Sequence, residues 1–101
     1  MTYRFDAEVW RWEAQAGWFF VSLPEDVSDD IEARAGGDAR GFGSVRVVVR
    51  CGGSRWSTSV FPDGTRQVYV LPLKKAVRVA EGLDEGGTAA FELVLERDDV
   101  A

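Results

Sequence analysis

The segment YVLPLKKAVRVAEGLDEGG, residues 69–87, joins the end of a strand, a Leu-Pro step, a short helix and a glycine-bounded turn. Proline suits the start of a helix because its missing N–H would have no partner there. Gly82 follows the helical pattern, where glycine commonly ends a helix. Apolar residues at helical spacing predict the buried helix face: Leu73, Ala76, Val77 and Ala80.

An earlier segment, FFVSLPEDVSDDI at residues 19–31, has the same plan of strand, Leu-Pro step and helix. Each segment follows a predicted hairpin and precedes a loop and a further strand. We interpret the two as an internal two-fold repeat. Chance is the alternative, because Leu-Pro commonly precedes a helix.

The remaining segments predict the rest of the fold. Apolar and polar residues alternate over residues 3–9, 45–50, 55–60 and 88–97, as expected of half-buried strands. A glycine-rich loop is predicted over residues 35–43. The resulting order is β-β-α-β-β-β-α-β, with no βαβ unit long enough for a doubly wound sheet. We therefore predict a mainly β fold, a small antiparallel barrel with two short helices.

Four segments, GWFFVSLP, GFGSVRVVV, WSTSVFPDG and YVLPLKKAVRVAEGLDEG, together resemble the bacterial DUF1905 family, a domain of unknown function. The resemblance covers about Phe5 to Glu96. It implies a double-split β-barrel, the architecture of the AbrB/MazE-type transcription factors and antitoxins, in which two short chains intertwine. The implication is that one chain here forms the barrel that two chains form there.

The second half also resembles the AbrB-type signature, and this resemblance implies nucleic-acid binding. The matching residues, at the signature's mutual spacing, are Arg78, Gly82, Leu83 and Gly86. Pro72 lies farther from Arg78 than in the signature, and Gly87 stands where the signature has an acid.

Length and composition indicate one soluble domain. The chain has 101 residues, 46% of them apolar, which suits a single domain over residues 1–97 with a tail at 98–101. No apolar run is long enough for a membrane span, and residues 1–25 lack the layout of a signal peptide. With Cys51 as the single cysteine, we expect a cytoplasmic protein.

Charge is distributed unevenly along the chain. The net charge is −5, yet residues 43–78 contain seven basic side chains and one acidic side chain. A globally acidic protein binds DNA poorly without a local basic face. The alternative is that acidic and basic segments interleave in the fold and pair their charges.

Catalytic chemistry has little support in the sequence. Histidine is absent, which removes the commonest general base and zinc ligand. Cys51 has no partner base, and no phosphate-binding or metal-binding motif is present. We expect no enzyme activity, no cofactor and no metal.

Lys74, Lys75 and Arg78 are the first candidate site, for an anion. Cations at a helix start oppose the helix dipole, whereas the first helix begins with the favourable acids Glu25 and Asp26. The alternative is that the lysines simply extend into water.

Arg46, Arg50 and Arg55 form a second candidate, a basic ribbon. They share the non-core parity of two strands joined by CGGS, so cross-strand neighbours would place them together.

The tryptophans form the third candidate. Trp10 and Trp12 share the parity of Asp6 and Glu8, which predicts a partly exposed aromatic surface, a second buried face being the alternative. Trp18 and Trp56 lie in apolar or alternating strands and are predicted to be core.

These candidates favour a small binding module for an anionic or aromatic ligand or a protein segment. A nucleic-acid-binding regulator and a structural or accessory domain are the alternatives. The protein would act as a monomer or a homodimer.

Overall fold

The computed structural model describes residues 1–14, 17–35 and 43–99. Within them the chain forms six strands, two α-helices and a final 3-10 turn: β1 (Thr2–Arg11), β2 (Phe19–Ser22), α1 (Glu25–Ala35), β3 (Val45–Cys51), β4 (Ser54–Asp63), β5 (Val68–Pro72), α2 (Lys75–Glu81), β6 (Thr88–Leu95) and Glu96–Asp98. This confirms the predicted mainly β fold and its element order. Most of the predicted glycine-rich loop, residues 36–42, lies outside the described residues. In the described part, neither helix has the length and apolarity that crossing a membrane requires.

The six strands form a closed antiparallel barrel in the order β1-β2-β5-β4-β3-β6. Each strand therefore has a hydrogen-bonded neighbour on both sides. Inward side chains alternate with outward ones, as the period-two patterns predicted. The residues with no more than 1% exposure on the strands fill the barrel interior: Val9, Val21, Val47, Val49, Val60, Leu71 and Leu93.

The barrel has an internal two-fold plan. Exchanging β1-β2-α1-β3 with β4-β5-α2-β6 leaves the ring order unchanged. Val21 and Leu71 are paired at the centre of the β2–β5 contact. On either side of this pair, Leu23 N–H donates to Tyr69 O and Leu73 N–H donates to Phe19 O, both at 2.9 Å. Residues of β2 thus correspond to residues fifty positions later, as Leu23 does to Leu73.

This correspondence shifts the two Leu-Pro steps relative to each other. Pro24 precedes α1, and its structural counterpart before α2 is Lys74. Pro72 lies inside β5 opposite Phe20. The repeat is therefore a repeat of strands and helices, and its two prolines hold different positions in it.

Helix α1 is fixed to the barrel by hydrogen bonds as well as by apolar packing. The buried Ser28 Oγ accepts the N–H of Tyr69 at 3.0 Å, and the Tyr69 hydroxyl donates to Glu32 at 2.7 Å. The Tyr3 hydroxyl donates to Asp30. Val27 and Ile31 are buried, which matches the predicted apolar face.

Helix α2 is shorter than α1, and the prediction of its buried face is wrong at two of four positions. Leu73 and Val77 are buried, but Ala76 and Ala80 are exposed. Helix α2 spans seven residues, and Val77 is its buried one, because Leu73 precedes the helix. Gly82, at φ 65°, ends the helix in the left-handed conformation that glycine adopts without strain.

Candidate functional site

The outer face of the β1–β2 hairpin carries four aromatic side chains. Val9 and Val21 point into the barrel, so their neighbours Trp10 and Phe20, which are paired across the strands, point outward. Beyond this pair, Trp12 N–H donates to Trp18 O at 2.9 Å, which places these two tryptophans opposite each other. The hairpin therefore aligns two aromatic pairs on one surface.

The four rings contact one another around Phe20. Trp10 stacks on Phe20 with 5.0 Å between ring centroids, and Trp12 meets Trp18 edge to face at 5.9 Å. Both Trp12 and Trp18 lie 6.3 Å from Phe20. Phe20 is consequently buried, while Trp12 and Trp18 remain 41% and 49% exposed.

Trp18 and Trp56 were both predicted to be core, and the structure confirms this for Trp56 alone. Trp18, predicted to be core, lies on the surface because it precedes β2 on the outward parity, opposite Trp12. Trp56 is 6% exposed and belongs to the core. Trp12 is exposed and Trp10 is partly buried.

A cavity of about 840 Å³, which we call the aromatic groove, extends from these rings across β5 to β4. Its far wall includes Phe61, Pro62, Val70 and Pro72. Phe61 pairs with Val70, as Trp10 pairs with Phe20, so the groove crosses the centre of the two-fold plan. Sequence reasoning missed Phe61, although it follows the inward Val60 on β4 and so has outward parity.

One end of the groove is closed by Arg66, from the turn between β4 and β5. Asp63 shapes this turn, because its Oδ1 accepts the N–H groups of Thr65 and Arg66 at 2.9 and 3.3 Å. Its Oδ2 accepts from Arg66 Nη1 at 2.8 Å. The Arg66 guanidinium lies over the Trp10 ring, 3.7 Å from the centroid. Trp10 is also held by a 3.0 Å hydrogen bond from Nε1 to Ser22 Oγ.

These contacts keep Asp63 ionised. Burial acts to raise the pKa of this carboxyl, but hydrogen bonds from the side chain and backbone of Arg66 and from Thr65 outweigh it and lower the pKa. At neutral pH the Asp63 carboxylate therefore balances the positive charge of Arg66. The guanidinium covers the Trp10 ring but adds no net charge to the groove.

At the other end, Lys74 and Lys75 line a second cavity of about 270 Å³. This cavity shares Trp18, Thr58 and Pro72 with the aromatic groove, so the two adjoin. Both lysines are exposed. Arg78 is not part of the lining, and its guanidinium lies over the Phe19 ring, 3.8 Å from the centroid. The structure therefore brings Lys74 and Lys75 to the tryptophans, whereas Arg78 lies over Phe19, which lines the smaller cavity.

Arg46, Arg50 and Arg55 lie on β3 and β4, with Arg50 directly opposite Arg55. Two of them are paired with acids from the end of the chain. Arg46 Nη2 lies 3.1 Å from Glu96 Oε2, and Arg55 forms an ion pair with Asp99. The basic ribbon and the acidic C-terminal segment therefore share one surface, and the positive charge there is largely neutralised.

Cys51 is buried, and burial, with a further contribution from Glu81, raises the pKa of its thiol. The reactive thiolate is thus disfavoured. Over residues 1–14, 17–35 and 43–99, no three acidic or cysteine side chains are grouped so as to hold a metal ion.

A family model described as "Domain of unknown function (DUF1905)" matches residues 5–93. The match spans both halves of the barrel and every residue of the aromatic groove named above. No curated protein matches the chain.

Proposed function

The chain belongs to the DUF1905 family, and we propose that it is a small binding module whose aromatic groove takes a ligand with a planar apolar body. The observation that carries the proposal is the half-exposed pair Trp12 and Trp18 at the mouth of a cavity of about 840 Å³. Ligand cavities commonly measure about 300–1,000 Å³ and are lined by apolar and aromatic side chains. Trp12 and Trp18 expose apolar surface to water, and a ligand that covered this surface would gain the free energy of its burial.

The groove is also held in shape before any ligand arrives. Trp10 is fixed by Ser22 and Arg66, and Phe20 is buried beneath the exposed rings. Side chains that are already ordered lose little conformational entropy on binding. The rings therefore form a rigid platform on which a flat molecule could stack.

The alternative functions have less support. A nucleic-acid-binding regulator would need free cations, but Arg46 and Arg55 are paired with acids. A gel shift at low salt, repeated at higher salt, tests this alternative, because phosphate contacts make affinity fall steeply with salt. A protein segment, as the ligand of a binding or accessory domain, would occupy the same groove. Catalysis is not part of the proposal, since the chain has no histidine and Cys51 is a buried thiol.

The test is a screen of small planar and aliphatic compounds, in which binding is detected from the tryptophan indole N–H signals in the NMR spectrum. We expect planar compounds to shift the Trp12 and Trp18 signals more than aliphatic compounds do. Trp12→Ala and Trp18→Ala should each weaken binding by roughly tenfold, because stacking on one ring contributes ~1–2 kcal/mol.

The matched control is Val79→Ala, which removes an exposed apolar side chain outside the groove. It should leave binding unchanged. The proposal is overturned if planar compounds produce no shift, or if the three variants weaken binding equally.

A further inference from the structure

We infer that the ligand of the aromatic groove is a free planar aromatic anion, whose ring packs against Trp12 and Trp18 and whose carboxylate or phosphate lies between Lys74 and Lys75. This inference rests on the proposed function and adds the chemical class of the ligand. It depends on the charges around the groove and on the residues that its two cavities share.

The shared lining indicates where the parts of such a ligand would lie. Trp18 and Pro72 line both the large apolar cavity and the smaller cavity that is lined by the lysines. A ring packed against Trp18 would therefore lie beside the cavity that Lys74 and Lys75 line. Ser57 and Thr58 also line the smaller cavity, and a hydroxyl can donate to an anion.

The charged side chains around the groove indicate the sign of the ligand's charge. Arg4, Arg11, Arg34, Arg46, Arg55 and Arg66 each form an ion pair. Lys74 and Lys75 form none with any described residue. Among the described residues, Asp63 is the single acid lining either cavity, and it is already paired with Arg66. The uncompensated charge at this site is therefore positive, which favours an anionic ligand.

The same distribution favours a small molecule over a nucleic-acid strand. Lys74 and Lys75 lie together at one end, and the other cation of the groove, Arg66, is neutralised by Asp63. Among the residues that the structure describes, no further unpaired cation lines the groove to meet successive phosphates along a strand. The net charge of −5 would also repel a polyanion.

The test compares three ligands of one shape and different charge: naphthylacetate, naphthylacetamide and naphthylethylamine. Their affinities follow from NMR titration of the Trp12 and Trp18 indole N–H signals. We expect the anion to bind about 2–5-fold more tightly than the neutral amide, the range for an exposed charge contact of ~0.4–1 kcal/mol. The cation should bind most weakly, and added salt should reduce the preference.

Variants assign the preference to particular residues. Replacing both lysines, Lys74→Gln with Lys75→Gln, should lower the affinity for naphthylacetate to that for the amide and leave the amide's affinity unchanged. The control is Arg50→Gln, because Arg50 also forms no ion pair with the described residues but lies on β3, away from the groove. It should change neither affinity.

The outcomes separate this inference from the proposed function. If the amide binds as tightly as the acid, the anionic class is overturned while the groove remains a binding site. If none of the three compounds shifts the indole signals, both fail. If a short oligothymidylate binds far more tightly than naphthylacetate and the lysine variant abolishes that binding, the ligand is a nucleic-acid strand and the inference of a free small molecule is overturned.

Discussion

The Arg66 guanidinium lies 3.7 Å from the centroid of the Trp10 ring, so the turn between β4 and β5 covers a residue of the β1–β2 hairpin. The two hairpins occupy equivalent places in the two-fold plan of the barrel. Their contact closes one end of the aromatic groove and leaves the lysine end open. The groove is therefore asymmetric, although the barrel that carries it is built from two similar halves.

Arg66→Ala should lower the free energy of unfolding by about 0.5–2 kcal/mol, because it removes the ring contact and the pair with Asp63 together. The control is Arg46→Ala, which breaks the exposed pair with Glu96 without involving a ring. We expect it to cost at most ~1 kcal/mol. Urea unfolding followed by circular dichroism measures both variants. Equal losses would show that the Trp10 contact contributes nothing to stability.

Ser28→Ala should destabilise the fold by about 1–3 kcal/mol, because the buried N–H of Tyr69 loses its acceptor. Ser57→Ala is the control, since Ser57 is exposed on β4 and should shift stability by less than ~0.5 kcal/mol. Hydrogen exchange of the Tyr69 amide gives a local readout, and it should accelerate only in the Ser28 variant. An unchanged exchange rate there would contradict the role assigned to Ser28.

Gly52→Ala should be costly and Gly53→Ala nearly neutral, although the two glycines are adjacent in the β3–β4 turn. Gly52 has φ 58°, where an alanine is strained, and its Cβ would overlap the Glu81 carboxylate. Glu81 would have to move and release the hydroxyl of Ser54. We expect a loss of about 1–3 kcal/mol.

A Cβ at Gly53 meets no atom within 4 Å, so we expect Gly53→Ala to lie within ~0.5 kcal/mol of the unsubstituted protein. Thermal unfolding of both variants provides the comparison. Similar melting temperatures for the two would show that neither the left-handed conformation nor the Glu81 contact constrains this turn.

Stability should fall in alkaline solution as the two tyrosines ionise. Burial, together with the hydrogen bonds to Asp30 and Glu32, raises the pKa of Tyr3 and of Tyr69 from 10.0 to about 12. The unfolded chain thus releases these protons at lower pH than the folded one. Their stabilising contribution is complete below pH ~10 and is lost as the pH rises towards about 12.

Unfolding free energies across this pH range, with ultraviolet difference absorbance of tyrosinate, provide the test. The variants Tyr3→Phe and Tyr69→Phe distinguish the ionisation of the tyrosines from that of the lysines. Each should reduce the loss of unfolding free energy at alkaline pH. Tyrosinate formation near pH 10 in the folded protein would contradict the raised pKa values.

Much of the fold could be predicted because its signals are local. Alternation in β1 identified the inward residues, and the Leu-Pro steps marked the ends of β2 and β5. The parity of Trp10 and Trp12 indicated an outer aromatic surface, and the structure places both on the outer face. The hairpin of β3 and β4 was predicted, but the pairing of β6 with β1 and β3 was not, because these strands are distant in sequence.

The remaining parts of the site depend on such distant contacts. Trp18 was predicted to be buried because an apolar run does not show which of its faces meets the core. Arg66 reaches Trp10 through a turn more than fifty residues away in sequence. The pairing of Arg46 with Glu96 follows from β3 lying beside β6, which no local pattern indicated.

The third strand of each half has consequences for folding. Among the described strands, β3 pairs with β4 and β6, and β6 pairs with β1 and β3. Each half thus supplies a strand whose partners all belong to the other half, and neither half alone can form a closed sheet. If the chain were cleaved at the turn between Gly52 and Gly53, the two fragments should be unstructured separately and regain structure only when mixed, as a heterodimer of complementary halves.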